Sequence, residues 1–232
     1  MAAETKAQRP LRFFVGITGG SGHMYAERLV AELLRCGCEV DLSITDAGCK
    51  VLRHELGVEA GRQGERLGDA LSEWLEPLGV TPDMLAGVRV FPSDAIEAPA
   101  ASGTSLTGGV IIAPCSMGTL ARVTAGFSSN LVERAADVAL KEGRRLVLMP
   151  RETPLSEIHL ENMLRAVKLG AIVLPCMPGF YHLPKSIDDL VAHVVGKTLD
   201  RLGVEQSVGA RWNGFDEPEG DEGTTRRTEE RG

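Results

Sequence analysis

The sequence predicts one α/β domain, a parallel sheet with helices packed on both faces. Three observations carry that expectation. Short apolar, β-branched runs alternate along the chain with segments of helical period. A glycine cluster, Gly19-Gly20-Ser21-Gly22, stands between the first such run and the first helical segment. Two later runs, 109–113 and 146–149, each end in a turn bearing hydroxyls or charges. Open α/β sheets bind ligands outside the carboxyl ends of such strands.

The elements follow in order. Residues 1–10 are polar and read as a disordered tail. Residues 12–18 (RFFVGIT) are apolar enough for a buried strand, and 24–35 sets Leu29, Leu33 and Leu34 at helical spacing. Val40, Leu42 and Ile44 alternate along a second strand, 39–45, before a short helix at 46–56. Residues 57–88 are rich in glycine and charge. They predict a peripheral, mobile excursion with one amphipathic helix near 67–78. A short strand at 88–91 leads into a polar loop, 93–109, long enough to be functional or disordered. Then come a core strand at 109–113, helices at 116–125 and 130–142, a strand at 145–149, a helix at 154–169, a last strand at 171–174 and a closing helix at 186–202. Residues 205–232 read as a tail, largely disordered after about 216, because 218–232 hold nothing that could build a core.

Composition narrows the function classes. A chain of 232 residues, 43% hydrophobic and 25% charged, is sized for a single domain with a full core. An aromatic content of 4% argues against a base-stacking surface, and a net charge of −7 against non-specific DNA binding. Residues 216–232 hold seven acids and three arginines, a net −4 of that −7, which leaves −3 for the rest. An anion site therefore has to be built locally. The five cysteines are odd in number and form no C-x-x-C pair, which disfavours a disulfide framework or zinc ribbon and points to a reducing cytoplasm. Residues 1–10 lack the apolar core of a signal peptide, and no run approaches the ~20 apolar residues of a membrane span. His54, His159, His182 and His193 show no metal-ligand spacing, so no metal is expected.

Several groups are candidates for chemistry. The 19–22 loop could bring backbone N–H groups and a positive helix end to a phosphate, or be a plain tight turn; it matches neither the dinucleotide fingerprint nor a Walker loop. Ser116 and Thr119 open a helix, where Ser116 could equally be a structural cap. Cys115 has no histidine beside it in sequence and reads as a small buried residue. Arg151-Glu152 lies between Pro150 and Pro154 directly after a strand, a rigid placement that suits a site better than a solvated surface. Taken alone, Lys141-Glu142 is a solvated pair, and Tyr181 is an anion donor or an aromatic cap.

GGSG at 19–22, PCSMGTL at 114–120, ERAADVALKE at 133–142, PRETPL at 150–155, HLENM at 159–163 and PGFYHLP at 178–184 together carry a resemblance. From 11 to about 212 the chain resembles the UbiX-type flavin prenyltransferases, within the flavin-binding decarboxylase-like flavoproteins. The resemblance implies a single Rossmann-like (flavodoxin-like) domain over 11–204, no metal, and a cytoplasmic homododecamer with sites at subunit interfaces. It implies transfer of a dimethylallyl group from dimethylallyl monophosphate to N5 and then C6 of reduced FMN. The prenylated FMN would serve a UbiD-type decarboxylase.

By motif, Gly19, Gly20, Ser21, Thr45, Ser116, Met117, Gly118, Thr119 and Arg151 would hold FMN. Lys141, Tyr181 and Lys197 would grip the donor phosphate. Glu152 would handle the proton on the leaving phosphate, Glu55 would act near flavin N5, and Arg134 would support the site. Two positions depart from the family's habit: Gly20 where alanine is commoner, and Lys197 where many relatives carry arginine. The alternatives are a flavin-dependent cysteine decarboxylase, whose P-x-M-N-type clamp is missing here, a flavin storage protein, and an interaction protein docking by its acidic tail.

Overall fold

The computed structural model describes residues 11–105 and 107–209; the tail expected at 1–10, and all but 205–209 of the tail expected at 205–232, lie outside the described residues. Six strands form one parallel sheet: β1 (Arg12–Ile17), β2 (Glu39–Ile44), β3 (Val88–Val90), β4 (Gly109–Cys115), β5 (Leu146–Pro150) and β6 (Ile172–Val173). Their spatial order is β3-β2-β1-β4-β5-β6, so the chain winds outward from β1 to one side and then returns to β4 for the other. The crevice between β1 and β4, where the winding reverses, is the topological switch point.

Alternation along β1 feeds two cores. Phe13, Val15 and Ile17 point into a cluster with the helices α1 (His23–Arg35) and α8 (Ile187–Leu202). Phe14 points the other way, with Val110 and Ile112 of β4, towards α5 (Met117–Thr124) and α6 (Leu131–Lys141). Helix α7 (Glu157–Lys168) lies on that second face and buries only Ala166 among its residues. Both faces of the sheet are covered, as parallel strands require.

The 57–88 segment differs from expectation. The helix expected over 67–78 is reduced to α3 (Leu71–Leu75) and a following single turn, Glu76–Leu78, and a further short helix, α4 (Pro82–Leu85), appears. Gly68 and the Pro77–Gly79 turn punctuate the helical pattern. Leu67, Trp74 and Leu75 are buried in the β1 core, so the segment is an anchored flank and not a loose excursion. At the other end, the Gln206 side chain donates to Gly196 O at 3.4 Å and Asp200 Oδ1 at 2.9 Å, which lays the first residues after Val204 along α8. Among the described residues no helix is long and apolar enough to cross a membrane.

Candidate active site at the carboxyl edge of the sheet

Three helices begin at the carboxyl ends of β1, β2 and β4, two capped by a hydroxyl of their own and one from a neighbouring helix. Helix α1 has a left-handed glycine at its cap, Gly22 (φ 102°), which offers no side-chain oxygen to the orphan N–H groups. The missing cap is supplied from α2 (Asp46–Leu56). Glu55 accepts from Gly22 N–H at 3.0 Å and from His23 N–H at 2.8 Å. Burial pushes its carboxyl up, but the N–H groups of His23 and Gly22 and the Ser21 hydroxyl outweigh that and hold it below the usual carboxylate value. Thr45 caps α2 by accepting from Gly48 N–H at 3.2 Å. Ser116 caps α5 by accepting from Thr119 N–H at 3.2 Å. The Met117 and Gly118 N–H groups, at the first turn of α5, have no partner within the helix and remain for an anion.

These starts are tied together. The Thr18 hydroxyl at the end of β1 donates to Pro114 O at 2.7 Å and accepts from Ser116 N–H at 2.8 Å. A Cβ on Gly20 would stand 3.4 Å from Pro114 Cβ and 3.4 Å from Ser116 N, so the glycine loop and the β4 turn face each other across the switch point. Behind the loop, His23 is fully buried; its Nε2 lies 3.1 Å from Thr18 O and its Nδ1 has no partner. Burial lowers its pKa, which keeps the imidazole neutral.

Ser116 and Thr119 have their own backing. Their hydroxyls are 3.0 Å apart, and Arg122 Nη2 donates to Thr119 Oγ1 at 3.4 Å. Arg122 pairs with Glu133, which is fully buried and also accepts from the Ser129 N–H at 2.9 Å and hydroxyl at 2.7 Å. Burial raises the Glu133 carboxyl; Ser129 and Arg122 together override it and hold it low. This chain of contacts was missed in the sequence, although Asn130 with Glu133 three residues later, where Asn130 Oδ1 accepts from Glu133 N–H at 3.0 Å, is a recognisable helix-start signal.

Arg151 and Glu152 follow β5 on the same edge. Arg151 Nε is buried with no hydrogen-bond partner. A buried guanidinium donor left unsatisfied is costly, and an arriving anion relieves it. Glu152 is exposed, and its Oε1 accepts from Thr153 N–H at 3.0 Å. Cys176 N–H donates to Pro150 O at 3.0 Å, which brings the loop after β6 alongside this turn. Further along that loop Tyr181 meets His193 of α8, and Lys197 lies one turn on, beside a groove formed with Ile172, Val173 and Leu174. Cys115 is fully buried and its thiol is pushed up to about 12, first by burial, consistent with an inert packing residue.

The structure thus gathers Gly19, Gly20, Ser21, Thr45, Glu55, Ser116 to Thr119, Arg151 and Glu152 at one edge. Lys141 stands apart. It ends α6, paired with Glu142 at 3.0 Å, just ahead of β5 and therefore at the sheet's opposite, amino edge. Strand β5 separates the two edges by about 16 Å at ~3.3 Å per residue. Arg134, one turn into α6, pairs with Asp137 at 2.8 Å.

The donor set fits a flavin mononucleotide. A phosphate would meet the α5 start and the hydroxyls of Ser116 and Thr119, Arg151 offers an unmatched donor, and the glycine loop would leave the backbone open to a flat ring. Among the described residues no cluster of side chains suited to a metal ion occurs.

Known proteins are similar to this chain in sequence and fold. A family model described as Flavoprotein matches residues 1–199. The flavin prenyltransferase UbiX of Halalkalibacterium halodurans is 49% identical over 200 residues, 86% of this chain and 92% of that protein. The UbiX of Pseudomonas aeruginosa is 44% identical over 204 residues, 88% of this chain and 94% of its own. Among solved structures, AnUbiX (PadA1) in complex with FMN and dimethylallyl pyrophosphate superposes with a TM-score of 0.76 at 35% identity, covering 90% of this chain and 100% of that one. A dodecameric FMN-dependent UbiX-like decarboxylase from Escherichia coli O157:H7 gives 0.74 at 36% identity, covering 88% and 100%. The cysteine decarboxylase TvaF, at 12% identity and a TM-score of 0.53, shares the fold alone. On these grounds the chain belongs to the Flavoprotein family and, within it, to the UbiX-type flavin prenyltransferases.

Proposed function

We propose that this protein joins a dimethylallyl group to reduced FMN, at N5 and then C6, with Ser116 to Thr119 and Arg151 holding the mononucleotide. The observation that carries the residue assignment is the unpartnered, buried Arg151 Nε facing the same edge as the α5 start and the glycine loop. Reduced FMN supplies the nucleophile; the chain's residues bind, orient and move protons. Gly19, Gly20, Ser21 and Thr45 frame the ring. Glu55, held ionised by two backbone N–H groups, is positioned to exchange a proton near N5. Tyr181 and Lys197 bind the donor phosphate, and Glu152 delivers the proton that lets it leave. Preorganised donors on the developing phosphate charge are what lower this barrier.

Lys141 enters this reading from a neighbouring subunit, and Arg134 supports the site. Lys141 sits at the wrong edge to reach Arg151 of its own chain, so a site that includes it is shared between copies. The exposed apolar stripe of α7, Leu160, Leu164 and Val167, supports assembly, and a homododecamer is the form we propose. The proposed setting is the cytoplasm, the donor dimethylallyl monophosphate, and the recipient a UbiD-type decarboxylase.

The test is an anaerobic incubation of the protein with reduced FMN and dimethylallyl monophosphate, followed by mass spectrometry of the released flavin. A gain of one C5H8 unit is the expected result. Bound but unaltered FMN would point to a different donor or to flavin storage.

A further inference from the structure

We propose that His193 is a positioning residue for the donor phosphate, acting through Tyr181. The inference rests on the prenyl-transfer reading, in which Tyr181 touches that phosphate. His193 Nε2 lies 3.4 Å from the Tyr181 hydroxyl. His193 is 9% exposed and Tyr181 45%, so the pair links a fixed interior group to an open wall. The Tyr181 ring stands edge-on to His193, with centroids 5.3 Å apart and planes at 81°, and edge-on to His182 at 5.7 Å and 77°. The two imidazoles stack at 4.7 Å and 6°. Gly179 lies on a third side: a Cβ there would come within 2.6 Å of Tyr181 Cε1 and 3.3 Å of His193 Nε2. Tyr181 is therefore clamped by two histidine rings and a glycine.

A second feature of the same cluster points to an anion. Both ring nitrogens of His182 are buried without a hydrogen-bond partner. An imidazole carries an N–H on at least one of its two ring nitrogens, so a donor is left unmatched beside Tyr181, and a phosphate oxygen would satisfy it. Burial, and after it the neighbouring His182 and Lys197, lower the His193 pKa. Asp189, at the start of α8, is in turn influenced by His182.

The phenol has one proton and can also accept one hydrogen bond. When the donor binds, the Tyr181 O–H turns to the phosphate and the Tyr181 oxygen accepts from His193 Nε2–H. The imidazole then sets the direction of the phenolic proton. Such contacts are often long before the ligand arrives and tighten in the complex.

The experiment measures, by calorimetry, the affinity of dimethylallyl monophosphate for protein loaded with oxidised FMN, and the affinity for FMN itself. His193→Phe keeps the stacked ring and removes the nitrogen. It is expected to weaken the donor about tenfold, the upper end of what one hydrogen bond between uncharged groups contributes, and to leave FMN within about twofold. His193→Gln, which restores a side-chain N–H, recovers most of the loss. In a Tyr181→Phe background, His193→Phe adds nothing further. Unchanged donor affinity in His193→Phe, equal weakening of donor and FMN, or additive losses in the double variant would each overturn the proposal. Failure of the wild-type protein to bind the donor at all would instead remove the prenyl-transfer reading, and this role with it.

Discussion

In the proposed mechanism two carboxylates divide the proton work. Glu152, at the end of β5, accepts from the N–H of its neighbour Thr153, whereas Glu55, also exposed, is fastened to the start of α1. Glu152→Gln is expected to keep FMN bound and lower prenylation by about 10²-fold or more, the usual weight of a general acid; turnover within twofold of wild type would remove its role. Lys197→Ala is expected to raise the donor KM much more than the FMN Kd, and equal losses would make the residue structural. Glu55 predicts a pH effect of known sign. Burial alone would raise its carboxyl, but the hydrogen bonds from His23, Ser21 and Gly22 win and place it below its ordinary value of 4.5. Its stabilising contribution is therefore complete above that value and is lost as pH falls through the lower, folded-state value. Glu55→Gln should lower the melting temperature at pH 7, with the gap to wild type closing on acidification below about pH 4; a gap that widens there would contradict the assigned contacts. Local sequence could show that Arg151-Glu152 sits rigidly between prolines. It could not show Glu55 returning to Gly22 from 33 residues away, nor Arg122 and Glu133 standing behind Thr119, because those partners are chosen by the packing of separate helices.

The elements themselves were legible because each carries its period locally. β1, β2 and β4 announce themselves by apolar runs, and α8 by Ser186 at its cap and Gly203 at its end. The 57–88 flank was not, since its order comes from the burial of Trp74 and Leu67 against β1's core and not from any repeat of its own. One position shows how tightly an element can depend on another. A Cβ on Gly16, near the end of β1, would come within 2.6 Å of Val132 Cγ1 on the first turn of α6. Gly16→Ala is expected to cost about 1–3 kcal/mol by overpacking. Val132→Ala in the same chain should restore part of it, read as a non-additive pair in thermal denaturation. Additive losses would mean that the strand and helix do not meet there.

On the scale of the whole molecule, one chain supplies only part of the proposed site. The α7 stripe of Leu160, Leu164 and Val167 leaves more than half of each side chain exposed, an arrangement that suits burial against another copy. Leu164→Glu is expected to give smaller particles in analytical ultracentrifugation with an unchanged far-UV spectrum, and to lose prenylation with the assembly. Sharing of Lys141 has a sharper signature. Lys141→Ala and Glu152→Gln are each inactive alone, but subunits unfolded and reassembled together regain about one quarter of wild-type activity, since half the sites draw an intact Glu152 and half of those an intact neighbouring Lys141. No recovery would place both residues in one chain's site. The Glu55 plug at the start of α1 finally bears on traffic. A protein whose flavin is its merchandise has to part with it after every cycle. By satisfying that helix end with its own carboxylate, the chain leaves one tether fewer for the mononucleotide, and under the proposed function the finished flavin would depart more easily for it.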